Sequence, residues 1–537
     1  MIGLALLAGG AVSASAGEVA TIKARVEAGQ VSCAAVIADR LDRIAARDHL
    51  LHGVIATDPT AIARARRIDR LPPSRKRRLP LLCAPLLVKD NIDVAGLPTT
   101  AGSVALAGNV ARRDAAAVAA LRRAGAVVVA KTNMSEFAFN YRGRSSIRGQ
   151  TTSPFSIRES AGGSSSGNGA ALAAGFGVLA LGTDTSGSLR VPAALAGVIG
   201  LRPTFGAVPR DGVLALSPSQ DAVGPMCRAA ADCLAALRVL TGRRDVPPAE
   251  PLKGLRIGLL DHLFPAGPMR AAVDRAVARL SAAGAIVSPA GLVDEQVLVG
   301  AVPPPGHTAA FASRSAFDFA GVMDRYLPRR MGVPADTRAL LEALRDGRTD
   351  PKVVADVTRF IANRDGAAGD PRHAVNGAFR DAFVEARIAR AFSCAPGCGC
   401  LDLLLYPSVR DVAADAERGP DTGGTHRLAA YSGRPAIAFP IGAVRTAGGV
   451  RPVSVELMGR PGSDAMLMTI VEAWQARLDL PLPMAARTGK RRSASMPRRR
   501  RDGAVIQAWG PARAASLSAA VNSRTSRARW ASGRNRI

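Results

Sequence analysis

Histidine is scarce in this chain, six in 537 residues, and none falls between Gly162 and Thr204, the stretch most crowded with glycine and serine. A serine in that stretch therefore has no imidazole nearby in sequence to serve as its base. Acidic residues are also few. Against 71 Lys and Arg stand 43 Asp and Glu, a net charge of +28 that attracts anions without specifying one. Past the N-terminus no segment reaches the roughly 20 apolar residues that span a bilayer, because Asp, Arg and Pro break every apolar run. Cysteines number seven, an odd total that predicts no complete disulfide framework. Three of them, Cys394, Cys398 and Cys400, form C-x3-C-x-C in a Pro/Gly turn, a pattern that suits a metal site or a disulfide; no fourth ligand is near, which argues against zinc.

What is present is globular: 48% apolar residues over a length sufficient for a large buried core. Residues 1–16, MIGLALLAGGAVSASA, are apolar and end in an A-x-A-like pattern without a basic n-region. They read either as a signal peptide, which would place the protein in the periplasm or outside, or as an apolar arm of a cytoplasmic protein. Residues 489–537 read as a disordered basic tail. From Lys490 onward it carries thirteen Lys or Arg and one Asp, with Arg498–Arg501 in a run, and its expected role is non-specific attraction for anions.

The stretch from Gly162 to Thr204 holds ten glycines and two serine clusters. In Gly162-Gly163-Ser164-Ser165-Ser166-Gly167, glycines on both sides allow backbone bends that a Cβ forbids, so a hydroxyl can be held in a tight loop. Asp184-Thr185-Ser186-Gly187-Ser188 follows the apolar run Val178–Leu181, a strand that ends in a turn rich in backbone N–H groups. Upstream, Lys89 ends the run Leu86-Leu87-Val88. A lysine enclosed between packed strands loses its proton more readily, because desolvation disfavours the ammonium.

These segments resemble the amidase signature family, whose pattern runs GGSSGG, DTGGSIR-PA and GLKPT-G after a lysine segment. Here the lysine segment is Leu87–Ile92 followed by Gly96–Ser103, with 75 residues from Lys89 to Ser164 and 24 from there to Ser188. The resemblance implies a Ser-Ser-Lys amide hydrolase working through an acyl-enzyme, without metal or organic cofactor. Ser188 matches the nucleophile, Ser164 the bridging serine on a cis peptide, and Lys89 the base. The clustered N–H groups of Thr185, Ser186, Gly187 and Ser188 are the expected oxyanion hole, where one donor is worth about 2.7–4 kcal/mol in acyl transfer. Asp184 and Arg190 also match and are read as an ion pair holding the loop. Three positions depart from the pattern: Ser186, Ser166 and Cys83 stand where glycine is usual.

The resemblance covers residues 18–488 and implies one large α/β/α domain over 17–488, with a central mixed β-sheet flanked by helices, in place of the three or four domains that about 150 residues each would suggest. The segments Ser188–Ala193, Pro209–Val213 and Leu216–Pro218 look closest to the indoleacetamide and mandelamide hydrolase branch, so the expected substrate is a small primary, arylacetamide-type amide. Alternatives are an amidotransferase A-type subunit releasing ammonia from glutamine for a partner, and a catalytically weak anion-binding protein. A homodimer is compatible with the resemblance; a specific nucleic-acid or membrane partner is not expected. A rival lies in the same loop: Gly163-Ser164-Ser165-Ser166-Gly167 fits G-x-S-x-G, which would make Ser165 a nucleophile served by His307, His373 or His426, but Phe155–Ala161 is a poor preceding strand.

Elsewhere, helical spacing marks 18–50, 61–70, 269–283, much of 314–393 and 464–477, and Asp114–Ala124 reads as a capped helix before the buried strand Ala126–Ala130. Further strands are expected at 256–260, 403–406 and 435–440. The aromatics Phe137, Phe139 and Tyr141 fit either a substrate-facing loop or the core.

Overall fold

The computed structural model describes residues 17–243, 250–366, 369–393 and 400–478. Eleven strands form one mixed sheet: β1 (Val54–Thr57), β2 (Pro85–Lys89), β3 (Val127–Thr132), β4 (Leu179–Asp184), β5 (Ile199–Arg202), β6 (Ala222–Cys227), β7 (Arg256–Leu259), β8 (Ile286–Pro289), β9 (Leu403–Tyr406), β10 (Ala436–Thr446) and β11 (Gly449–Gly459). Their order is β1-β3-β2-β4-β6-β5-β10-β11-β9-β7-β8. The triplets β3-β2-β4 and β9-β7-β8 are parallel, and the strands between them run antiparallel.

Every residue of β2, β3, β4 and β6 is buried, as expected of strands covered on both faces by helices. Alternation along the strands sorts the two faces. Leu403, Leu405, Ile437 and Leu457 join the largest apolar core, whereas Leu404, Tyr406, Ala436 and Met458 pack in a second cluster on the other side. The helices around the sheet include α1 (Glu18–Glu27), α2 (Cys33–Leu51), α3 (Ala116–Arg123), α4 (Ser166–Ala173), α5 (Arg190–Ala196), α6 (Ala230–Thr241), α7 (Pro268–Ala282), α8 (Ser315–Tyr326), α9 (Pro351–Asp365), α10 (Arg380–Ala391), α11 (Arg427–Ser432) and α12 (Asp464–Gln475). Helices α6, α7 and α12 belong to the first core, α10 and α11 to the second. A third cluster joins α8 and α9 to Phe137, Leu214 and Leu216 at the rim of the sheet. The fold is thus the α/β/α layering that the family resemblance implies.

Several details differ from the sequence reading. Helix α3 starts at Ala116, and the Asp114 carboxylate binds Ala95 N–H at 2.8 Å and the Arg122 guanidinium instead of capping the helix. Strands β5, β6 and β11 carry Gly or Pro and lack a clear period, yet they complete the middle of the sheet. Phe155–Ala161 does contain a strand, Ser156–Ser160, but it sits in a small separate sheet. Two disulfides are the largest correction, Cys33 with Cys83 and Cys227 with Cys233, while Cys400 is disulfide-bonded as one reading of its motif expected. An odd total does not exclude disulfides, since it requires only that not every cysteine be paired within the chain. Cys394, Cys398, the N-terminal 1–16 and the tail 489–537 lie outside the described residues. Among the described residues, no helix is long and apolar enough to cross a membrane.

Candidate active site

The parallel neighbours β2 and β4 end side by side, which brings Lys89 and Thr183 together at the C-terminal edge of the sheet. Lys89 is wholly buried, and its Nζ donates to Ser164 Oγ at 2.7 Å and to Thr183 Oγ1 at 2.8 Å. Burial pushes this ammonium down to about 7, against the pull of the Asp184 and Asp221 carboxylates. Asn91 Nδ2 donates to the same Thr183 hydroxyl at 3.1 Å and fixes it. A lysine in this setting is poised to exchange a proton with Ser164 near neutral pH.

Ser164 lies in the bend between the small sheet and α4. Gly162 has φ +72°, a left-handed conformation that suits glycine, and the Gly163–Ser164 peptide is cis. The Ser164 carbonyl accepts from Ser135 N–H at 3.1 Å, and the next residue, Ser165, donates its N–H to the Ser188 carbonyl at 3.1 Å. That backbone bond seats the β4–α5 turn against the bend. Ser188 is 2% exposed and lines a cavity of about 190 Å³. Among the described residues no hydrogen bond joins Ser164 Oγ to Ser188 Oγ; the hydrogen bond present is the one between Lys89 and Ser164.

The turn carrying Ser188 is held by charge. Asp184 accepts from Gly187 N–H at 2.7 Å, Leu189 N–H at 3.2 Å and Arg190 Nε at 3.0 Å, while Arg202 pairs with it at 3.0 Å. Burial opposes its charge, but the two guanidiniums prevail and hold its carboxyl well below the usual range. Arg190 in turn reaches Glu456 on β11. Asp184 and Arg190 therefore form the ion pair expected, enlarged by Arg202 and Glu456. The same geometry corrects one expectation: the Gly187 N–H is engaged by Asp184 and is not a free oxyanion donor.

The glycine replacements now have places. Ser166 begins α4 away from the cavity. Ser186 lines the cavity; its carbonyl accepts from Tyr141 Oη at 2.8 Å and its Oγ is buried without a partner. Cys83 has φ +61° and is tied to Cys33. The aromatics divide: Phe137 is core, Tyr141 lines the cavity, and Phe139 lines it while packing on Phe319. Ser165 does not line the cavity; its Oγ donates to the Thr183 carbonyl at 3.3 Å. His307 stacks near Phe379 and His373 near Phe317, and neither lines the cavity. The nucleophile-elbow alternative has no partner set.

Nothing in the sequence marks Arg427 or Tyr431, and His426 stands out there only as a partner for the rival. All three line the cavity from α11 and its entry, more than 200 residues after Ser188. The His426 ring packs edge-on against Tyr141, and burial, aided by Arg427 and Arg190, pushes its pKa well down, so the imidazole is neutral. The nearest element that the sequence predicts is the strand at 435–440.

Known proteins share this architecture. The amidase family model matches residues 35–468. The A-type subunit of the glutamyl-tRNA(Gln) amidotransferase from Symbiobacterium thermophilum is 39% identical over 310 residues, 54% of this chain and 64% of that protein. The chain thus spans less than two thirds of that relative. The corresponding protein of Burkholderia pseudomallei is 32% identical over 74% of this chain and 85% of its own length. Among solved structures, the peptide amidase of Stenotrophomonas maltophilia superposes with a TM-score of 0.73 at 31% identity, covering 87% of this chain and 97% of its own. The chain belongs to the amidase signature family.

Proposed function

We propose that the protein hydrolyses a small primary carboxylic amide to carboxylate and ammonia through an acyl-enzyme on Ser188. The observation that carries this is the buried Lys89–Ser164 hydrogen bond beneath a cavity lined by Ser188. In the proposed cycle, Ser188 Oγ attacks the amide carbon and passes its proton to Ser164, which passes its own to Lys89 Nζ. The N–H groups of Thr185, Ser186 and Ser188 stabilise the oxyanion. The relay then runs backwards, protonating the leaving nitrogen as the C–N bond breaks, and ammonia departs. Water, deprotonated through the same relay, cleaves the ester and restores Ser188. A cavity of about 190 Å³ is below the roughly 300–1,000 Å³ of drug-sized sites, which favours a small acyl group.

A second reading has specific support. Relatives named as A-type subunits of glutamyl-tRNA(Gln) amidotransferase favour glutamine as the ammonia source, with a partner protein receiving it, over the arylacetamide preference. Both readings share ammonia release from a primary amide. The test is ammonia release from a panel of arylacetamides, aliphatic amides and glutamine, with Lys89→Ala and Ser188→Ala in parallel. Release by wild type that vanishes in both variants supports the proposal; wild-type-like release in either overturns it. Glutamine turnover confined to a stable heteromer would select the amidotransferase reading.

A further inference from the structure

The cavity contains a cation that the hydrolytic cycle does not use. Arg427 lines it together with Ser188, and its charge acts on the neighbouring Tyr141, His426 and Tyr431. It makes no ion pair with any described carboxylate; its guanidinium Nη1 donates to the Val299 carbonyl, and Gly300, lacking a side chain, leaves room for it there. None of the described residues lining the cavity is Asp or Glu. Two further lining residues hold unpartnered buried polar atoms, Ser186 Oγ and His426 Nδ1, and the latter residue is only 6% exposed. Arg427 is half-buried without a carboxylate partner, and the donors of its planar fork beyond Nη1 match a carboxylate.

We infer that Arg427 recognises a carboxylate on the acyl side of the substrate, so that the preferred substrates are monoamides of dicarboxylic acids and related anionic amides. The inference rests on the amide-hydrolase reading and narrows its substrate class. It also separates this chain's site from one built for amino-acid amides: with no acidic residue among the described residues of the cavity wall, an α-ammonium finds no counter-charge there, so glutaramate should be a better substrate than glutamine.

The test compares kcat/KM for the pairs glutaramate and pentanamide, and 4-carboxyphenylacetamide and phenylacetamide, with glutamine alongside, in wild type, Arg427→Gln and Arg427→Lys. A charge-assisted pair predicts that wild type favours the anionic member by about 10–100-fold, mainly through KM. Arg427→Gln should collapse that ratio toward one, and Arg427→Lys should restore part of it. In parallel, calorimetry on the Ser188→Ala protein should show glutarate binding more tightly than pentanoate, with the difference lost when Arg427→Gln is added. Neutral amides turned over with no anionic preference, or a preference that survives Arg427→Gln, would overturn the inference. Glutarate bound through Arg427 by a protein that hydrolyses no amide would instead uphold the subsite and overturn the hydrolase reading.

Discussion

At the scale of the residue, the proposed activity rests on one lysine kept from water. Because the Lys89 ammonium is pushed down to about 7, the neutral base is present above that pH and is lost below it. The acid limb of kcat is therefore expected to fall tenfold per pH unit below about 7, and a limb that stays flat to pH 5 would assign the base elsewhere. Lys89→Ala and Ser164→Ala should each reduce kcat by about 10²–10⁴-fold, the usual share of general acid–base catalysis, measured by ammonia release with circular dichroism to confirm folding. Stability carries the same signature. Unfolded Lys89 has the ordinary value of 10.5, so between about 7 and 10.5 the unfolded chain binds the extra proton and stability rises with pH. Lys89→Met removes that slope; melting curves across this range, wild type against variant, would reveal it, and identical slopes would contradict a buried neutral lysine.

At the scale of the element, two devices hold the strand ends in place. The Asp184 cluster fixes the β4–α5 turn through buried guanidiniums on α5 and β5. Asp184→Asn leaves Arg190 and Arg202 with reduced compensation in a dry interior, and breaking such a cluster is expected to cost about 3–5 kcal/mol in urea unfolding. The second device is the Cys33–Cys83 disulfide, which ties α2 to the segment entering β2 across 50 residues of sequence. Reduction should lower stability by about 2–4 kcal/mol, seen as a fall in melting temperature with dithiothreitol. Cys83 sits at φ +61°, where glycine is comfortable. Cys83→Gly should therefore lose less than Cys83→Ala, by about 1 kcal/mol. Equal losses would mean that the backbone there is not the constraint.

At the scale of the whole molecule, charge is unevenly distributed. The tail from Lys490 onward, with its thirteen Lys or Arg and one Asp, supplies much of the net +28. We expect removal of residues 489–537 to leave amide turnover unchanged while weakening retention on a polyanion column and flattening its salt dependence. Loss of turnover on removal would tie the tail to the site and favour the anion-binding alternative.

The candidate residues Lys89, Ser164 and Ser188 stand out in the sequence because each lies in a short glycine-rich or apolar segment whose local conformational demands show there. So do the parallel α/β units around them, since a helix followed by a buried apolar strand leaves a periodic trace. The disulfides, the middle strands β5 and β6, and the cavity wall of His426, Arg427 and Tyr431 do not. Their roles depend on what faces them across the sheet or the cavity. A guanidinium is left without a counter-charge only when no carboxylate lies opposite, and a cysteine becomes a cross-link only when another stands beside it. Local sequence thus carries the family, the layers and the candidate trio, because each is written in a contiguous segment. Which N–H groups stay free, which cation faces the cavity and how the cysteines pair emerge only on folding, because those are relations between elements that the chain brings together from distant positions.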